Sequence, residues 1–438
     1  MGMMGVVRRR STSLVMLAMC ALVLPAPPKS AADFGKDEKK FANEAYPVEF
    51  RNRVAEAIVR SSNWLLKRQK DDGSWMSRSA GYALGPTALA TLALLKAGIP
   101  AGHPKLEKAF AYMRQQRLER TYEVAIVLMC LDAKYDGPHD GFAIELVDRY
   151  GQRVVTDPCA AQISKEDLAW MKQGVDFLVK NQTSGYWRYP SGGFDLSNTQ
   201  YALLGLKAAD RCGLTVPTSV WKAALDFLLG FQATEGPPVD VRANEVRGEY
   251  RIEWTEKAKA RGFCYTNGMK GEMATGSMTT AGAAGLMICQ SMLWKSRKFT
   301  AEDRDRTRTA VRDALAWMQV NFGVESNPKG QDSWHYYYLY GLERMGIVGH
   351  LRFIGTTDWY REGAEFLLQA QDDTGSWEAG DPIETCFALL FLKRSSFKTA
   401  NPVITPSDGD LGKPSDPRDG VPPAMGEAGA MDERPPGR

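Results

Sequence analysis

The sequence is poor in histidine and has no clustered cysteine. Four histidines occur among its 438 residues, which excludes a metal site built from several imidazole rings. The seven cysteines form no Cys-x-x-Cys pair, and their spacings exclude a compact disulfide framework. A disulfide in an oxidising compartment would involve Cys159 or Cys264. Four others lie in apolar helical stretches, where a free cysteine is usually a small buried apolar side chain: Cys130, Cys212, Cys289 and Cys386.

Neither sign of charge dominates the sequence. Lys and Arg number 55 against 52 Asp and Glu, which gives a formal net charge of +3 and a pI near 8.3. The charges are interspersed and form no basic stripe, so nucleic acid is not an expected partner. A hydrophobic share of 44% and a charged share of 24% are ordinary globular values, enough for one large core or two modest ones.

The apolar run near the N-terminus is too short for a membrane span. It covers Leu14–Leu24, whereas a helix needs about 20 apolar residues to cross a bilayer. Three arginines precede the run and small residues follow it up to Ala32, which is the order of a secretory signal peptide. We therefore expect residues 1–32 to be removed on export, leaving a periplasmic or secreted protein without a stable membrane span. A membrane anchor is the alternative.

One seven-residue pattern occurs twice in the chain. Residues 69–75 read QKDDGSW and residues 371–377 read QDDTGSW. Each follows an aromatic–Leu helix, WLLKR in the first case and FLLQA in the second. Similar aromatic starts recur four more times and define six units of about 50 residues, the sign of a helical repeat. The six aromatic residues are Trp64, Tyr112, Phe177, Phe227, Trp317 and Phe366.

Each unit has two helical halves of different character. The first half is amphipathic, with apolar residues three and four positions apart. The second half is apolar on nearly all sides, as in TTAGAAGLMICQSM, and must be buried inside the molecule. Six helices of each kind predict an all-α fold, an (α/α)6 toroid of six helical hairpins over residues 50–398. Two loop insertions near 134–160 and 234–275 interrupt it, a linker at 33–49 precedes it, and the Pro/Gly-rich residues 399–438 are expected to be a disordered tail.

The repeat is similar to that of the prenyltransferase and squalene-cyclase superfamily. An aromatic–Leu outer helix, a Gln, DGSW and an apolar inner helix carry the resemblance, which covers about residues 50–396. In that family the Gln and the Trp tie the end of an outer helix to its neighbour. The resemblance implies the ring fold but no single activity, although the Gly-Cys-Gly-Glu-Gln signature of thioester domains is absent. The pairs that fit are Gln69/Trp75, Gln371/Trp377 and, with a shorter loop, Gln182/Trp187, whereas Gln232 has no such Trp.

The proton donor of squalene-cyclase-like enzymes is altered in this chain. Those enzymes protonate an alkene from Asp-x-Asp-Asp-Thr at the start of an inner helix. The matching stretch here is DLSNT, so Ser197 holds the donor position and Asn198 follows it. A hydroxyl is too weak an acid for this reaction. Asp195 remains, and it can also serve as the N-cap of the following helix.

A zinc site of the prenyltransferase type is an alternative that the sequence only partly matches. Glu384 and Cys386 resemble the first ligand pair, with Glu in place of Asp, and the stretch WHYYYLYGL resembles the second element. Its alignment places Trp334 rather than His335 at the ligand position, and the two elements come in the opposite order. We therefore expect no cofactor, and zinc bound by Glu384, Cys386 and His335 is the alternative.

Polar and aromatic residues at the starts of the apolar helices predict the mouth of a central cavity. Several buried carboxylates in one place suggest a hydrated or ligand-binding centre, and aromatic faces there would stabilise a terpenoid cation or simply pack. His335 with Asp332 is the expected acid–base pair, with Glu272 and Glu384 as carboxylate partners. The expected catalytic residues are Asp195, His335, Asp332, Glu384 and Glu272, and the expected ligand-binding residues are Trp187, Asn198, Gln200, Phe263, Tyr265, Trp334 and Tyr338.

Three functions fit these observations. The first is an exported ring protein that binds an apolar, isoprenoid-type ligand; if it is an enzyme, it is of the terpene-cyclase or prenyltransferase kind. The second is a carbohydrate hydrolase or lyase on the same ring, which would hold two carboxyl groups about 5–10 Å apart. The third is a non-catalytic binding or scaffold protein that uses the insertions, since long loops on a rigid ring often carry specificity. A filled ring centre favours the third.

Overall fold

The computed structural model describes residues 46–75, 84–136, 158–189, 194–247, 250–266, 274–330 and 334–395. The predicted signal peptide at 1–32, the tail at 399–438 and most of the insertion near 134–160 lie outside these residues. Asp332 and Glu272, two of the expected catalytic residues, lie outside them as well.

The described chain is mainly helical. In order, it forms α1 (Val48–Arg68), α2 (Leu84–Ala97), α3 (Pro104–Arg114), α4 (Thr121–Asp136), α5 (Pro158–Gln162), α6 (Lys165–Asn181), α7 (Leu196–Arg211), α8 (Thr218–Phe231), β1 (Pro238–Arg247), β2 (Tyr250–Lys259), α9 (Gly276–Leu293), α10 (Ala301–Asn321), α11 (His335–Val348), β3 (Leu351–Ile354), β4 (Thr357–Asp358), α12 (Trp359–Ala370) and α13 (Pro382–Lys393).

The apolar helices form a closed inner ring. Helices α2, α4, α7, α9, α11 and α13 each pack on the next, and α13 packs back on α2. The amphipathic helices α1, α3, α6, α8, α10 and α12 pack on the outside of this ring, where α12 also contacts α1. Inner helices approach closely: a Cβ on Gly205 of α7 would lie 2.7 Å from the Cα of Ala125 on α4. The predicted all-α toroid of six hairpins is confirmed.

The second insertion contains a β-hairpin rather than a plain loop. Strands β1 and β2 pair in antiparallel register from Pro238↔Lys259 to Arg247↔Tyr250, and the sheet continues to β3 and β4 in the order β2-β1-β3-β4. The sheet packs on the outer helix α10. The sequence of β1, VDVRANEVR, alternates apolar and polar residues over part of its length, which is the period of a half-exposed strand. In the sequence, this short strand pattern stands inside a segment that the helical repeat marks as an insertion, and the repeat alone does not predict its strands.

A disulfide joins Cys159 to Cys212 across 53 residues and fixes α5 beside the end of α7. The expectation that Cys212 is only a buried apolar side chain is wrong, because α5 returns to the ring at this point and brings Cys159 next to it. Cys264 is buried and is not disulfide-bonded within the described residues. Among the described helices, none is both long and apolar enough to cross a membrane.

Candidate functional site

Glutamine and tryptophan tie the outer helices to one another in the predicted way. Gln69 Nε2 donates to the carbonyls of Gly73 at 2.9 Å and Lys105 at 2.7 Å, so the end of α1 is bonded to the start of α3. Trp75 Nε1 donates to the Leu65 carbonyl of α1 at 2.9 Å. These bonds hold the loop and the start of α3 against the end of α1. The DGSW loops are therefore structural ties.

The fourth unit keeps the tie with a phenylalanine in place of the tryptophan. Gln232 Nε2 donates to the Ala310 carbonyl of α10 at 2.8 Å. The backbone N–H of Phe263 donates to Thr279 Oγ1 at 3.1 Å, as that of Trp187 donates to Thr199 Oγ1 at 3.1 Å. The β-hairpin insertion separates Gln232 from Phe263 in the sequence, which is why sequence spacing did not pair them.

Trp187 and Phe263 were expected to bind a ligand, and the structure places both within the ties. Each has no accessible surface. Trp187 Nε1 donates to the Leu178 carbonyl at 2.7 Å, and the Phe263 ring fills the space above Gly282, where a Cβ would lie 2.5 Å from it. Tyr338 is likewise fully buried, and its hydroxyl donates to the Gly323 carbonyl at 2.8 Å. These three rings pack in the described structure and present no face to a ligand.

Asp195 is the N-cap of α7 and its oxygens are occupied by donors. Oδ1 accepts the backbone N–H of Asn198 at 2.7 Å and the hydroxyl of Ser197 at 2.7 Å. Oδ2 accepts the Asn198 amide at 2.6 Å. In all three hydrogen bonds Asp195 is the acceptor. Ser197 holds the proton-donor position of the cyclase motif, and its hydroxyl donates a hydrogen bond to the same carboxylate.

His335 and Trp334 lie together at the start of α11. Trp334 is 68% exposed and its backbone is left-handed, with φ +60°. The His335 Nε2 lies 2.7 Å from the Val324 carbonyl. Burial lowers the pKa of His335 below its ordinary value, although the Val324 carbonyl and Glu378 oppose that shift. The imidazole is therefore neutral near pH 7 and donates to Val324.

The three zinc ligands of the alternative hypothesis are not brought together. Among the described residues, the three-residue set with ligand atoms near one another is Asp132, Cys159 and Cys212, and its two sulfurs are joined in the disulfide. Cys386 is fully buried, and burial raises its thiol pKa well above the ordinary value. A buried neutral thiol is a poor metal ligand. Glu384 lies half-buried in the first turn of α13.

The centre of the ring holds an arginine that the sequence analysis did not select. Arg344 of α11 has no accessible surface. Its guanidinium carbon lies 4.1 Å from the ring centre of Tyr340, 5.1 Å from Tyr201 and 5.6 Å from Tyr337. The spacing of residues 337, 340 and 344 puts them on one face of the helix. The sequence signal was a charged residue inside an apolar inner helix, HYYYLYGLERMGIV.

Tyrosine and phenylalanine rings from four inner helices line up beside this arginine. Tyr122 of α4 lies 4.0 Å from Tyr201 of α7, which stacks at 6.2 Å on Tyr337 of α11. Tyr337 meets Phe387 of α13 edge-on at 5.6 Å. Gln200, one of the expected ligand-binding residues, accepts hydrogen bonds from Tyr337 at 3.2 Å and from Arg344 at 3.0 Å. We call Tyr122, Tyr201, Tyr337, Tyr340 and Phe387 the aromatic row.

The row runs from a partly open end to a closed one. Tyr122 and Tyr337 lie in the first turns of their helices, where Tyr122 is partly buried and Tyr337 is 7% exposed. Tyr340 and Arg344 lie one and two turns deeper in α11 and have almost no accessible surface. Tyr265, 42% exposed, is bonded through its backbone carbonyl to the N–H of Leu196 at the start of α7. The candidate site is therefore the mouth at the inner-helix starts, above a filled centre.

Comparison with known proteins gives one sequence relative and several similar structures. No protein-family model matches the chain. A copalyl diphosphate synthase of Streptomyces cyslabdanicus is 33% identical over 135 residues, which are 30% of this chain and 24% of that enzyme, so the match spans about a quarter of the relative.

The similar structures are type II terpene cyclases from Scytonema. A variant of the cyclase MstE in complex with geranylgeranyl dihydroxybenzoate has 11% identity and a TM-score of 0.45, covering 79% of this chain and 98% of that one. A second variant, in complex with merosterolic acid A, has 10% identity and a TM-score of 0.31, covering 80% and 98%. In sequence, the likeness to the synthase covers 135 residues, 30% of this chain.

Proposed function

We propose that the chain is an exported ring protein that binds an isoprenoid-type ligand at the mouth of the inner ring, without cyclising it by protonation. The observation that carries the proposal is the aromatic row, whose outer members Tyr122 and Tyr337 stand at the partly open inner-helix starts. Aromatic faces bury large apolar area and suit an unsaturated hydrocarbon chain. The sequence relative is named for an isoprenoid diphosphate product, which supports the same ligand class.

Two features argue against protonation-initiated chemistry. Ser197 stands where the cyclase acid would be, and its hydroxyl donates to Asp195. The second feature is the positive charge of Arg344 behind the aromatic row. A carbocation about 5 Å from a guanidinium is destabilised by about 3 kcal/mol at an effective dielectric constant of about 20, more than the roughly 2 kcal/mol that a desolvated aromatic face returns. Repulsion therefore outweighs the aromatic stabilisation.

Ligand binding is tested with the full exported protein and geranylgeraniol, an uncharged isoprenoid, by quenching of intrinsic fluorescence. We expect saturable binding that weakens by about tenfold or more in Tyr337→Ala and is retained in Tyr337→Phe, which keeps the ring. Native mass spectrometry after lipid extraction and metal analysis should find a co-purified isoprenoid and no zinc. Absence of any isoprenoid binding would overturn the proposal.

Absence of cyclisation is tested with geranylgeranyl diphosphate and the same protein. Gas chromatography of the extracted products should show only unreacted prenyl chain. A cyclic diterpene that the wild-type chain forms would contradict the second half of the proposal while leaving ligand binding intact.

Export is supported by the N-terminal pattern at residues 1–32 and by the disulfide between Cys159 and Cys212, since disulfides persist mainly in oxidising compartments. A fusion of residues 1–40 to a periplasmic reporter should direct it out of the cytoplasm, and retention of the reporter inside would overturn this part.

A non-catalytic scaffold is the second candidate function. The observation that favours it is the filled ring centre, where Tyr201 and Arg344 have no accessible surface. On this hypothesis the outer sheet formed by β1 to β4 would carry the partner surface. The two candidates differ in the geranylgeraniol experiment, since a scaffold has no reason to bind it.

A further inference from the structure

Arg344 is a buried cation that forms no ion pair with a carboxylate of the described residues. Its Nη2 donates to Gln200 Oε1 at 3.0 Å, and the Tyr201 hydroxyl is a further hydrogen-bonding neighbour. Its Nε and Nη1 groups are buried and have no acceptor in the described structure. Burial by itself lowers the pKa of this guanidinium, but Tyr201, Tyr340 and Tyr337 raise it above its ordinary value. Arg344 is therefore charged at every relevant pH.

A second group beside it also lacks an acceptor. Gln200 directs its oxygen to Arg344 and Tyr337, and its amide Nε2 is buried without a partner among the described residues. Three buried hydrogen-bond donors thus have no acceptor among the described residues: Arg344 Nε, Arg344 Nη1 and Gln200 Nε2. Each unpaired buried donor is destabilising, and cation–π contacts with the row compensate only part of the cost of a buried charge.

Arg211 shows how the same protein treats an arginine that serves the fold. It is also almost fully buried, but its Nη2 lies 2.7 Å from Asp136 Oδ1 and its Nε 3.2 Å from Asp132 Oδ1. A buried guanidinium that stabilises a fold is normally paired in this way. Arg344 is buried to the same degree, but its Nε and Nη1 have no acceptor among the described residues.

We propose that Arg344 and Gln200 form a receptor for the oxyanion end, a carboxylate or phosphate, of the isoprenoid-type ligand. This inference rests on the proposed function and names the ligand class more closely. The Arg344 guanidinium can donate two parallel hydrogen bonds to a carboxylate or phosphate, one from Nε or Nη1 and one from the second hydrogen of Nη2, and the Gln200 amide adds a third donor. The prenyl chain would lie along the aromatic row toward the mouth, and the Tyr122 and Tyr337 rings must turn aside to admit the ligand.

The binding test compares three C20 ligands on the full-length protein: geranylgeranoic acid, geranylgeranyl diphosphate and geranylgeraniol. We expect at least one anionic ligand to bind about 30-fold more tightly than the alcohol, the order expected for charge-assisted hydrogen bonds. The better of the two anions identifies carboxylate or phosphate. In Arg344→Met the preference for the anion over geranylgeraniol should vanish, and in Gln200→Met it should fall by about tenfold.

The stability test uses the same Arg344→Met protein without ligand, with Arg211→Met as the matched control. Replacement of an unpaired buried cation by an apolar chain of similar shape should leave the melting temperature equal or higher. Arg211→Met removes the guanidinium that pairs with both Asp132 and Asp136 and should lower it strongly. A large loss of stability in Arg344→Met would assign Arg344 to the fold and overturn the proposal; Gln200→Met then gives an independent reading of ligand preference.

The outcomes separate the two proposals. If the alcohol binds the wild type as tightly as both anions, the oxyanion receptor is wrong and isoprenoid binding stands. If no C20 ligand binds, dodecanoate is the deciding probe: binding that Arg344→Met abolishes keeps the receptor and discards the isoprenoid, and no binding discards both.

Discussion

A serine and an arginine decide what this ring can do at the scale of single residues. Ser197 gives its hydroxyl hydrogen to Asp195 at 2.7 Å, and a serine hydroxyl is too weak an acid to protonate an alkene. Arg344 places a positive charge behind the aromatic row. Under the proposed function, both residues disfavour cation chemistry in a ring whose fold is kept.

His335 predicts a pH dependence of stability. Its pKa is lowered in the folded protein, chiefly by burial, and lies near 6.5 in the unfolded chain. The folded state therefore binds less proton, and the stability that the neutral imidazole contributes is present above about pH 6.5 and lost as the pH falls toward the folded pKa. Between pH 7 and 5 the free energy of unfolding should fall more steeply in the wild type than in His335→Gln, by at most about 1.4 kcal/mol per pH unit. Denaturant titrations at each pH measure it, and parallel curves would contradict it.

Trp334 predicts a gain in stability when it is removed. Its left-handed backbone costs a non-glycine residue roughly 1 kcal/mol, and its side chain is 68% exposed. Trp334→Gly should raise the free energy of unfolding by about 0.5–1 kcal/mol and weaken geranylgeraniol binding if the indole meets the ligand at the mouth. Lys329→Gly is the matched control, because Lys329 has φ +59° and is exposed; it should gain stability and keep ligand affinity. Loss of stability in both variants would show that neither backbone is strained.

At the scale of elements, each tie joins one outer helix to the next through a single glutamine. Gln371 closes the series, because its Nε2 donates to the Ala57 carbonyl of α1 at 3.0 Å and to the Gly375 carbonyl at 3.1 Å. Tyr46 and Asp358 add a hydrogen bond of 3.0 Å across the same seam. The first and last hairpins therefore meet through the same kind of glutamine bond that joins α1 to α3, α6 to α8 and α8 to α10.

Gln371→Leu should destabilise the protein by about 2 kcal/mol, because the two hydrogen bonds from Gln371 Nε2 are lost and each contributes about 1 kcal/mol. Gln116→Leu is the control, since Gln116 Nε2 reaches only the Tyr112 carbonyl of its own helix at 3.4 Å. That change should cost less than about 0.5 kcal/mol. Urea unfolding of both variants gives the comparison, and equal losses would mean that the tie adds nothing to ring closure.

The whole molecule depends on closure of the inner ring and on one covalent link. Closure lets α2 and α13 bury each other's apolar faces, which an open stack of six hairpins would expose at both ends. The disulfide between Cys159 and Cys212 holds the end of the first insertion against α7. Both features connect residues that are far apart in the sequence.

Removal of the disulfide should cost about 4 kcal/mol, the value that loop entropy gives for a closed loop of 53 residues. The double variant Cys159→Ser with Cys212→Ser tests it by chemical unfolding. A reducing agent should bring the wild type to the midpoint of the variant and leave the variant unchanged. If oxidised wild type and variant unfold alike, the disulfide is absent or the unfolded chain is already compact there.

The sequence by itself determined the repeat, the two kinds of helix and the closed ring. These follow from periodicity and from the Gln and Trp positions, which are local properties that each unit carries. It also located Asp195, Asn198 and Gln200 at an inner-helix start, where the structure has them.

Tertiary structure alone decided the pairing of Cys159 with Cys212, the role of Phe263 in the fourth tie, and the placement of Arg344 among rings from α7 and α11. Each joins residues brought together by packing across the ring or around an insertion, and no local pattern encodes such a distance. A charged residue in an apolar helix marks a position of interest in the sequence, but only the packed ring shows that Arg344 has aromatic neighbours and pairs with no carboxylate of the described residues.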